Sequence, residues 1–132
     1  MKAKIQDRAR YLLWILLAIG FVGIFRVSLA QLNGSPCPQV LAIPACYVVL
    51  LGYTLMVIAA IFNHSKRQIL FVTGWIIATA IAVAGSIAEL TSDSQVCPTT
   101  SGSSIPLCYV SLALLAGILA LFLIARNRIP QD

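Results

Sequence analysis

Charged residues are scarce in this chain, and acidic residues are the scarcest. Its 132 residues include nine Lys or Arg, four Asp or Glu and one His, so charged residues make up 10% and hydrophobic residues 60%. A soluble domain of this size needs a more polar surface, so the composition excludes that class. The sequence also lacks a Ser-His-Asp set, a pair of catalytic carboxylates and a phosphate-binding loop, which excludes the reactions that depend on them.

The apolar residues are concentrated in long segments. Four of them, at about residues 11–32, 43–62, 69–90 and 105–124, approach the roughly 20 residues that a helix needs to cross a hydrocarbon core of about 30 Å. Only helices satisfy every backbone polar group of such a segment within lipid. The sequence therefore predicts an all-α polytopic membrane protein. It would be a four-transmembrane-helix bundle built from two tandem helical hairpins, with residues 1–132 forming a single membrane domain.

The second, third and fourth segments carry further signals. Pro44 and Pro106 are expected in first helical turns, where the missing N–H would be unpaired in any case. Small side chains form two stripes on the third segment, and such stripes let helix backbones approach closely in lipid. We therefore expect the third helix at the centre of the bundle. The stripes are Ala78, Ala82 and Ser86, and Ala80, Ala84 and Ala88.

The first segment has a second interpretation. Its basic start, its apolar run and Ser28-Leu29-Ala30 before Gln31 are typical of a cleaved signal peptide. The apolar run is long for that role, and cleavage would remove one half of the internal repeat described next. We therefore expect the segment to be retained as the first span.

An internal repeat surrounds the four cysteines. Residues 37–48 and 97–110 both open with Cys-Pro and close with Ile-Pro-x-Cys-Tyr-Val. The flanks match as well, since residues 28–32 read Ser-Leu-Ala-Gln-Leu and residues 86–90 read Ser-Ile-Ala-Glu-Leu. The repeated unit is an apolar segment, a cysteine loop and a second apolar segment, which predicts duplication of one helical hairpin.

The cysteines lie in the loops 33–46 and 91–108. Four cysteines allow three disulfide connectivities, which the sequence does not separate rigorously. A duplicated hairpin should close on itself, and this favours Cys37–Cys46 and Cys97–Cys108. Zinc binding is a weaker interpretation, because eight and ten residues separate the members of these pairs and structural zinc sites usually space cysteines two to four apart.

The distribution of cations predicts the orientation. Neither cysteine loop contains Lys or Arg, and the positive-inside rule then places both termini and the middle loop in the cytoplasm. The cysteine loops would face the outside of a bacterial-type inner membrane, where disulfides persist. The net charge of +5 would report this topology and contact with anionic membrane lipid, not nucleic-acid binding. Eight of the nine cations lie in the termini or the middle loop: Lys2, Lys4, Arg8, Arg10, Lys66, Arg67, Arg126 and Arg128.

Two charged residues fall within the apolar segments. Arg26 lies about two turns from the outer end of the first, and Glu89 lies at the outer end of the third. They could be two independent interfacial residues whose charged groups reach the headgroups. Alternatively they form an ion pair that joins the two helices and polarises a bound molecule near the outer surface. The sequence leaves both open. His64 is expected to be a solvated residue of the cytoplasmic middle loop.

A family resemblance rests on these cysteine loops and the helices beside them. Four spans with cytoplasmic termini and outer cysteine pairs resemble the vitamin K epoxide reductase/DsbB group of membrane thiol oxidoreductases. Residues 43–44 (Ile-Pro) and 51–53 (Leu-Gly-Tyr) are similar to the start of the second helix in bacterial members. The third segment from Ser86, the loop with Pro98, and Cys108 at the fourth segment are similar in placement to that family's third helix and redox cysteines.

The resemblance implies a function for each cysteine pair. Cys37 and Cys46 would exchange electrons with a thioredoxin-like soluble protein on the outer face. Cys97 and Cys108 would pass electrons to or from a quinone, either ubiquinone or menaquinone. Arg26 and Glu89 are the only charged candidates for binding the quinone at that depth.

The chain departs from the family in one respect: it contains no Cys-x-x-Cys, a spacing that helps to activate a thiol and to resolve a mixed disulfide. Two functions therefore remain open. One is a quinone-coupled thiol–disulfide oxidoreductase. The other is a non-catalytic four-helix membrane subunit or assembly factor with structural disulfides in its outer loops.

Overall fold

The computed structural model describes residues 1–34, 37, 39–40, 42–62, 66–93, 97, 99, 102 and 104–126. His64, Pro98 and Arg128 lie outside the described residues. The described chain is mainly helical, with one short β-hairpin and one isolated β-bridge, which confirms the all-α class. The elements in chain order are α1 (Lys2–Leu32), β1 (Gln39–Val40), β2 (Ile43–Pro44), α2 (Ala45–Ile61), α3 (Arg67–Thr91) and α4 (Leu107–Arg126).

Three of the helices are long and apolar enough to cross a membrane, namely Ala3–Leu32, Arg67–Thr91 and Leu107–Arg126. The fourth, α2, has 17 residues. At about 1.5 Å per residue it measures about 25 Å, against a hydrocarbon core of about 30 Å. One reason that α2 is shorter than the predicted segment 43–62 is Pro44. It lies in β2 with a ψ of 122°, which is outside the helical range.

The prolines before α2 and α4 lie outside the helices, so their predicted place in the first helical turn is wrong. Pro44 pairs with Gln39 in the β1–β2 hairpin, and α2 begins at the next residue. Pro106 forms an isolated antiparallel bridge with Thr99, and α4 begins at the residue after it. Backbone pairing within each loop therefore extends to the residue that precedes the helix.

The helices pack in a ring, with main contacts between α1 and α2, α2 and α3, α3 and α4, and α4 and α1. Sequential neighbours run antiparallel. Cys46 at the start of α2 lines the same cavity as Ala82 late in α3. Gly85 of α3 lies against Cys108 at the start of α4, and at the other end of these two helices Phe71 stacks on Phe122, with ring centroids 4.0 Å apart.

Close backbone contact joins α2 to α3. A Cβ added at Gly52 would lie 2.8 Å from the carbonyl oxygen of Gly74, so only glycine permits this approach. A hydrogen bond joins α3 to α4, where the indole N–H of Trp75 donates to the carbonyl oxygen of Leu115 over 2.8 Å. Since lipid gives helices little hydrophobic reason to associate, such close packing and hydrogen bonds position the helices in a membrane.

One of the two small-residue stripes on α3 is buried. Ala78, Ala82 and Ser86 are at most 6% exposed, which agrees with the predicted packing face. Ala80 and Ala84 of the other stripe are exposed. The main contacts of α3 are with α2 and α4, so α3 is one side of the ring and the prediction that it lies at the centre is wrong.

Large apolar side chains cover the outside of the ring, an arrangement suited to membrane lipid. Monomeric soluble proteins rarely expose apolar surface on this scale. Among the side chains at least half exposed are Ile15, Ile19, Val22, Leu51, Ile76 and Ile87.

The backbone confirms the internal repeat. Gln39 pairs with Pro44 in the first loop, and their counterparts in the repeat, Thr99 and Pro106, pair in the second loop. The matched flanks are alike too, because Ser28 and Ser86 are both buried polar residues. The two hairpins are therefore versions of one structural unit.

Candidate functional site

All four cysteines are paired, as Cys37–Cys46 with a Cα–Cα distance of 6.7 Å and as Cys97–Cys108 with one of 6.2 Å. This is the connectivity predicted from the repeat. Both disulfides lie where the loops meet the helix starts, at the same end of the ring. We call this the cysteine end; the opposite end, with Arg10, Arg67 and Arg126, is the basic end.

The local backbone explains the pairing. Cys37 precedes Gln39 by two residues and Cys46 follows Pro44 by two, so the cysteines continue the antiparallel register of that pair. Cys97 and Cys108 stand in the same relation to the Thr99–Pro106 bridge. Residues opposite each other in antiparallel strands are close enough for cross-strand side-chain contact. Each loop therefore presents its two cysteines to each other.

The second disulfide lies directly on the backbone of α3. A Cβ added at Gly85 would lie 2.9 Å from Cys108 Sγ and 3.4 Å from Cys97 Sγ. Cys97 is only 1% exposed. Glycine at this position provides the space that the two sulfur atoms occupy.

Glu89 holds the loop beside this disulfide. Its Oε2 accepts a hydrogen bond of 2.9 Å from the backbone N–H of Cys97. Glu89 follows Gly85 by four residues and so lies one helical turn further along the same face of α3. Hydrogen bonds to a charged acceptor are among the stronger ones in proteins, so Glu89 fixes the position of Cys97.

Arg26 lies elsewhere. It is exposed on α1, and it is not among the lining residues of the two cavities described next. Glu89 accepts a hydrogen bond from Cys97. An ion pair between Arg26 and Glu89 stays one of the two alternatives that the sequence leaves open.

A small cavity connects the two disulfides. It has a volume of about 80 Å³, and Cys46 of the first pair and Cys108 of the second both line it. Ser111 also lines it, and the remaining lining residues are aliphatic or alanine side chains of all four helices. We call this space the inter-disulfide cavity. It brings one cysteine of each pair to a shared, nearly apolar space.

A larger groove lies beside it, between α1, α2 and α4. This α1–α4 groove has a volume of about 280 Å³, and Cys108 and Ser111 line it as well. Gly20 and Gly23 form part of its α1 wall, and Tyr53 of α2 lies against Gly20, where an added Cβ would clash with the tyrosine ring. Cys108 therefore touches both spaces.

The structure adds site residues that the sequence analysis did not single out. Gly85, Ser111 and Tyr53 all contact the disulfides or the spaces beside them. Gly85 could have been recognised from its position four residues before Glu89, on the same helical face. Ser111 lies three residues after Cys108, again on one face. Among the described residues, no group of three or more His, Cys, Asp or Glu is arranged to hold a metal ion.

The geometry thus provides two disulfides at one end of a helical ring, with one cysteine of each pair lining a common cavity. This arrangement can support exchange between the two pairs or simple cross-linking of the loops. Compared with models of protein families, with curated proteins and with solved structures, the chain matches none of them.

Proposed function

We propose that this chain is a four-span membrane thiol–disulfide oxidoreductase. It would pass electrons from a thioredoxin-like dithiol protein on the outer face, through its two cysteine pairs, to a quinone. The observation that carries the proposal is the inter-disulfide cavity, which Cys46 and Cys108 both line. Two structural disulfides that only pin separate loops have no need of a common space.

The four-span topology draws support from the packing of α2. Although α2 is short, it packs antiparallel to α3, which is long enough to span. A helix of 17 residues is at the lower limit of about 17–25 residues for a span. Local thinning of the bilayer accommodates a shortfall of a few Å at modest cost. With the cations at the basic end, both termini lie in the cytoplasm and the cysteine end faces outwards.

Entry of electrons takes place at Cys37. Its side chain is partly exposed, whereas Cys46 is 6% exposed. A thiolate of the partner attacks Cys37 Sγ, the Cys37–Cys46 bond breaks, and Cys46 leaves as a thiolate. The second thiol of the partner then attacks the mixed disulfide and releases Cys37. The partner ends as a disulfide, and Cys37 and Cys46 have gained its two electrons and two protons.

Transfer between the pairs uses the inter-disulfide cavity. The Cys46 thiolate attacks Cys108 Sγ, the Cys97–Cys108 bond breaks, and Cys97 takes the leaving electron pair. Cys37 then attacks Cys46, which re-forms the first disulfide and leaves Cys108 reduced. The hydrogen bond from Cys97 to Glu89 keeps Cys97 beside Cys108 for re-oxidation. Two electrons and two protons have moved from the first pair to the second.

The α1–α4 groove suits a quinone. Its lining is largely apolar, and it includes Cys108 and two residues that carry a hydroxyl group, Ser111 and Tyr53. A flat apolar ring with two carbonyl oxygens needs walls of this kind and a few hydrogen-bond donors. A quinone supplies the two-electron acceptor that the reduced Cys97–Cys108 pair requires.

One observation favours the alternative of a non-catalytic membrane subunit with structural disulfides. Cys97 is 1% exposed and both sulfurs of its disulfide lie against Gly85. A soluble reductant has poor access to such a bond. In this alternative both disulfides would stay oxidised and no electrons would pass between them.

The experiment that separates the two functions traps the transfer step. In the double variant Cys37→Ser with Cys97→Ser, only Cys46 and Cys108 remain, and mild oxidation should join them. The matched control, Cys46→Ser with Cys108→Ser, leaves Cys37 and Cys97 and should give no intramolecular bond. Non-reducing peptide mapping reads out both variants.

Turnover gives the second readout. Purified wild-type protein with reduced cysteines should reduce a ubiquinone or menaquinone analogue, followed by its absorbance, and Cys108→Ser should abolish this. Absence of the Cys46–Cys108 bond together with an unchanged quinone would overturn the enzymatic function and leave the structural one.

A further inference from the structure

The two cysteine loops differ in how they are fixed to the helix that precedes them. In the second loop, Glu89 of α3 accepts a hydrogen bond of 2.9 Å from the backbone N–H of Cys97. The repeat places Gln31 of α1 at the position of Glu89, and Cys37 at that of Cys97. The side-chain oxygen Oε1 of Gln31, however, is buried and has no hydrogen-bond partner. The equivalent bond is therefore absent between these two described residues of the first hairpin.

A second pair of matched residues shows the same difference. The hydroxyl of Ser86 donates a hydrogen bond of 2.8 Å to the carbonyl oxygen of Ala82, one turn earlier. The hydroxyl of Ser28, its counterpart in α1, is buried without a partner, and the residue is only 4% exposed. Ser28 and Gln31 are three residues apart, so they lie on one face of α1. A buried polar atom without a partner is costly, and the first hairpin has two of them on one face.

The backbone of the first loop is also less relaxed than that of the second. Its turn contains Ala42 with a φ of 66°, in the left-handed region that residues other than glycine rarely adopt. The second loop has a glycine at its positive φ, Gly102 at 89°. The first disulfide also closes a shorter loop, with a sequence separation of 9 against 11. A short, strained loop closed by a disulfide keeps Cys37 from the position that Cys97 takes beside Glu89.

We infer that Gln31 is a positioning residue for Cys37, and that it acts when the Cys37–Cys46 disulfide is open. The inference rests on the proposed function, in which a dithiol gives this bond two electrons and two protons. The S–S bond breaks, both cysteines become thiols, and the dithiol becomes a disulfide. The released loop then lets the N–H of Cys37 donate to Gln31 Oε1, as Cys97 does to Glu89. This contact keeps Cys37 beside Cys46, so that the first disulfide can re-form.

The reduction equilibrium of each cysteine pair tests this inference. The purified protein is equilibrated with mixtures of dithiothreitol and its oxidised form, and alkylation followed by peptide mass spectrometry gives the reduced fraction of each pair. Reduction of Cys37–Cys46 gains a hydrogen bond and releases the strained turn, whereas reduction of Cys97–Cys108 gains neither. The equilibrium constant for reduction should therefore be at least tenfold larger for the first pair.

Gln31→Leu should lower the equilibrium constant of the first pair at least fivefold, because the reduced loop loses its acceptor, and should leave that of the second pair within twofold. Gln31→Glu keeps an acceptor oxygen and should give a value at least as large as the wild-type one. Asn33→Leu, at an exposed position of the same helix end, is the matched control and should leave both constants within twofold. If Gln31→Leu leaves the first constant unchanged, or lowers both constants alike, the inference is wrong. If circular dichroism shows that Gln31→Leu does not fold, a first-pair constant of Gln31→Glu below the wild-type value overturns it instead.

The backbone amide of Cys37 gives an independent readout. Labelling of cysteine alone with ¹⁵N yields four amide signals, one for each cysteine. Hydrogen exchange at Cys37 should slow at least tenfold on reduction of the wild-type protein, but not of Gln31→Leu. Equal exchange in the two redox states of the wild type would overturn the inference. No quinone takes part in these measurements, so their failure leaves the proposed quinone-dependent turnover standing, and failure of that turnover leaves these equilibria unchanged.

Discussion

Gly85 of α3 and Cys108 of α4 are in direct contact, so that a Cβ added to Gly85 would lie 2.9 Å from the sulfur of Cys108. The disulfide at the start of α4 is thereby seated on the backbone of α3. Because of this contact, the position of the Cys97–Cys108 disulfide depends on how α3 packs against α4. Any side chain at residue 85 must displace one or the other.

Gly85→Ala should therefore destabilise the protein. Overpacking of this kind typically costs about 1–3 kcal/mol, which outweighs the gain in helix propensity of up to about 1 kcal/mol from replacing Gly by Ala. Unfolding by denaturant in detergent measures the difference, and displacement of the disulfide should also speed its reduction by a small thiol. Gly117→Ala is the control, because its Cβ would meet only Leu16 Cδ1 at an ordinary distance of 3.5 Å. Equal effects of the two substitutions would contradict the contact.

Glu89→Ala should loosen the second loop. The substitution leaves the backbone N–H of Cys97 without its acceptor, and an unsatisfied buried donor costs about 1–3 kcal/mol. Glu89→Gln keeps an amide oxygen in a similar place and should lose much less. Denaturant unfolding ranks the two variants, and amide hydrogen exchange at Cys97 reports the bond itself. Asp93→Ala, which removes an exposed carboxylate at the same end, should have little effect. Equal losses in Glu89→Ala and Asp93→Ala would contradict the role of this hydrogen bond.

Gly23→Leu should block the α1–α4 groove without disturbing the helices. No atom lies within 4 Å of a Cβ added at Gly23, and the residue lines the groove, so the leucine would occupy the space proposed for the quinone. Quinone-dependent turnover should fall at least tenfold, while the Cys46–Cys108 bond of the trapping experiment should form as before. Ala18→Leu, on an exposed face of the same helix, should retain turnover. Full activity of Gly23→Leu would show that the quinone does not bind in the α1–α4 groove.

Topology can be tested with single cysteines. In a chain with the other cysteines replaced by serine, a membrane-impermeant maleimide should label Cys37 in intact cells, because Cys37 is partly exposed at the cysteine end. Gln68→Cys in a cysteine-free chain should be labelled only after lysis, because Gln68 lies exposed at the basic end. Labelling of both positions from the same side would rule out the four-span arrangement.

The sequence by itself determined the class of the fold, and its repeat favoured the pairing of the cysteines that the structure shows. Apolar segments of span length must become helices in lipid, and the helices lie within two residues of the predicted segments except at the start of α1, which begins at Lys2. The repeat predicted Cys37–Cys46 and Cys97–Cys108, because both pairs depend on local antiparallel register within one loop. Such local signals involve only a few neighbouring residues.

Only the tertiary structure decided which faces of the helices meet. In α2 and α4 nearly every face is apolar, so no polar stripe marks the side that turns outwards. The rotation of the helices depends instead on contacts between distant residues, such as Gly52 with Gly74 and Gly20 with Tyr53. For this reason the space shared by Cys46 and Cys108 became visible only in the packed ring. In lipid, close fit between particular side chains, and not the separation of polar from apolar faces, sets how helices assemble.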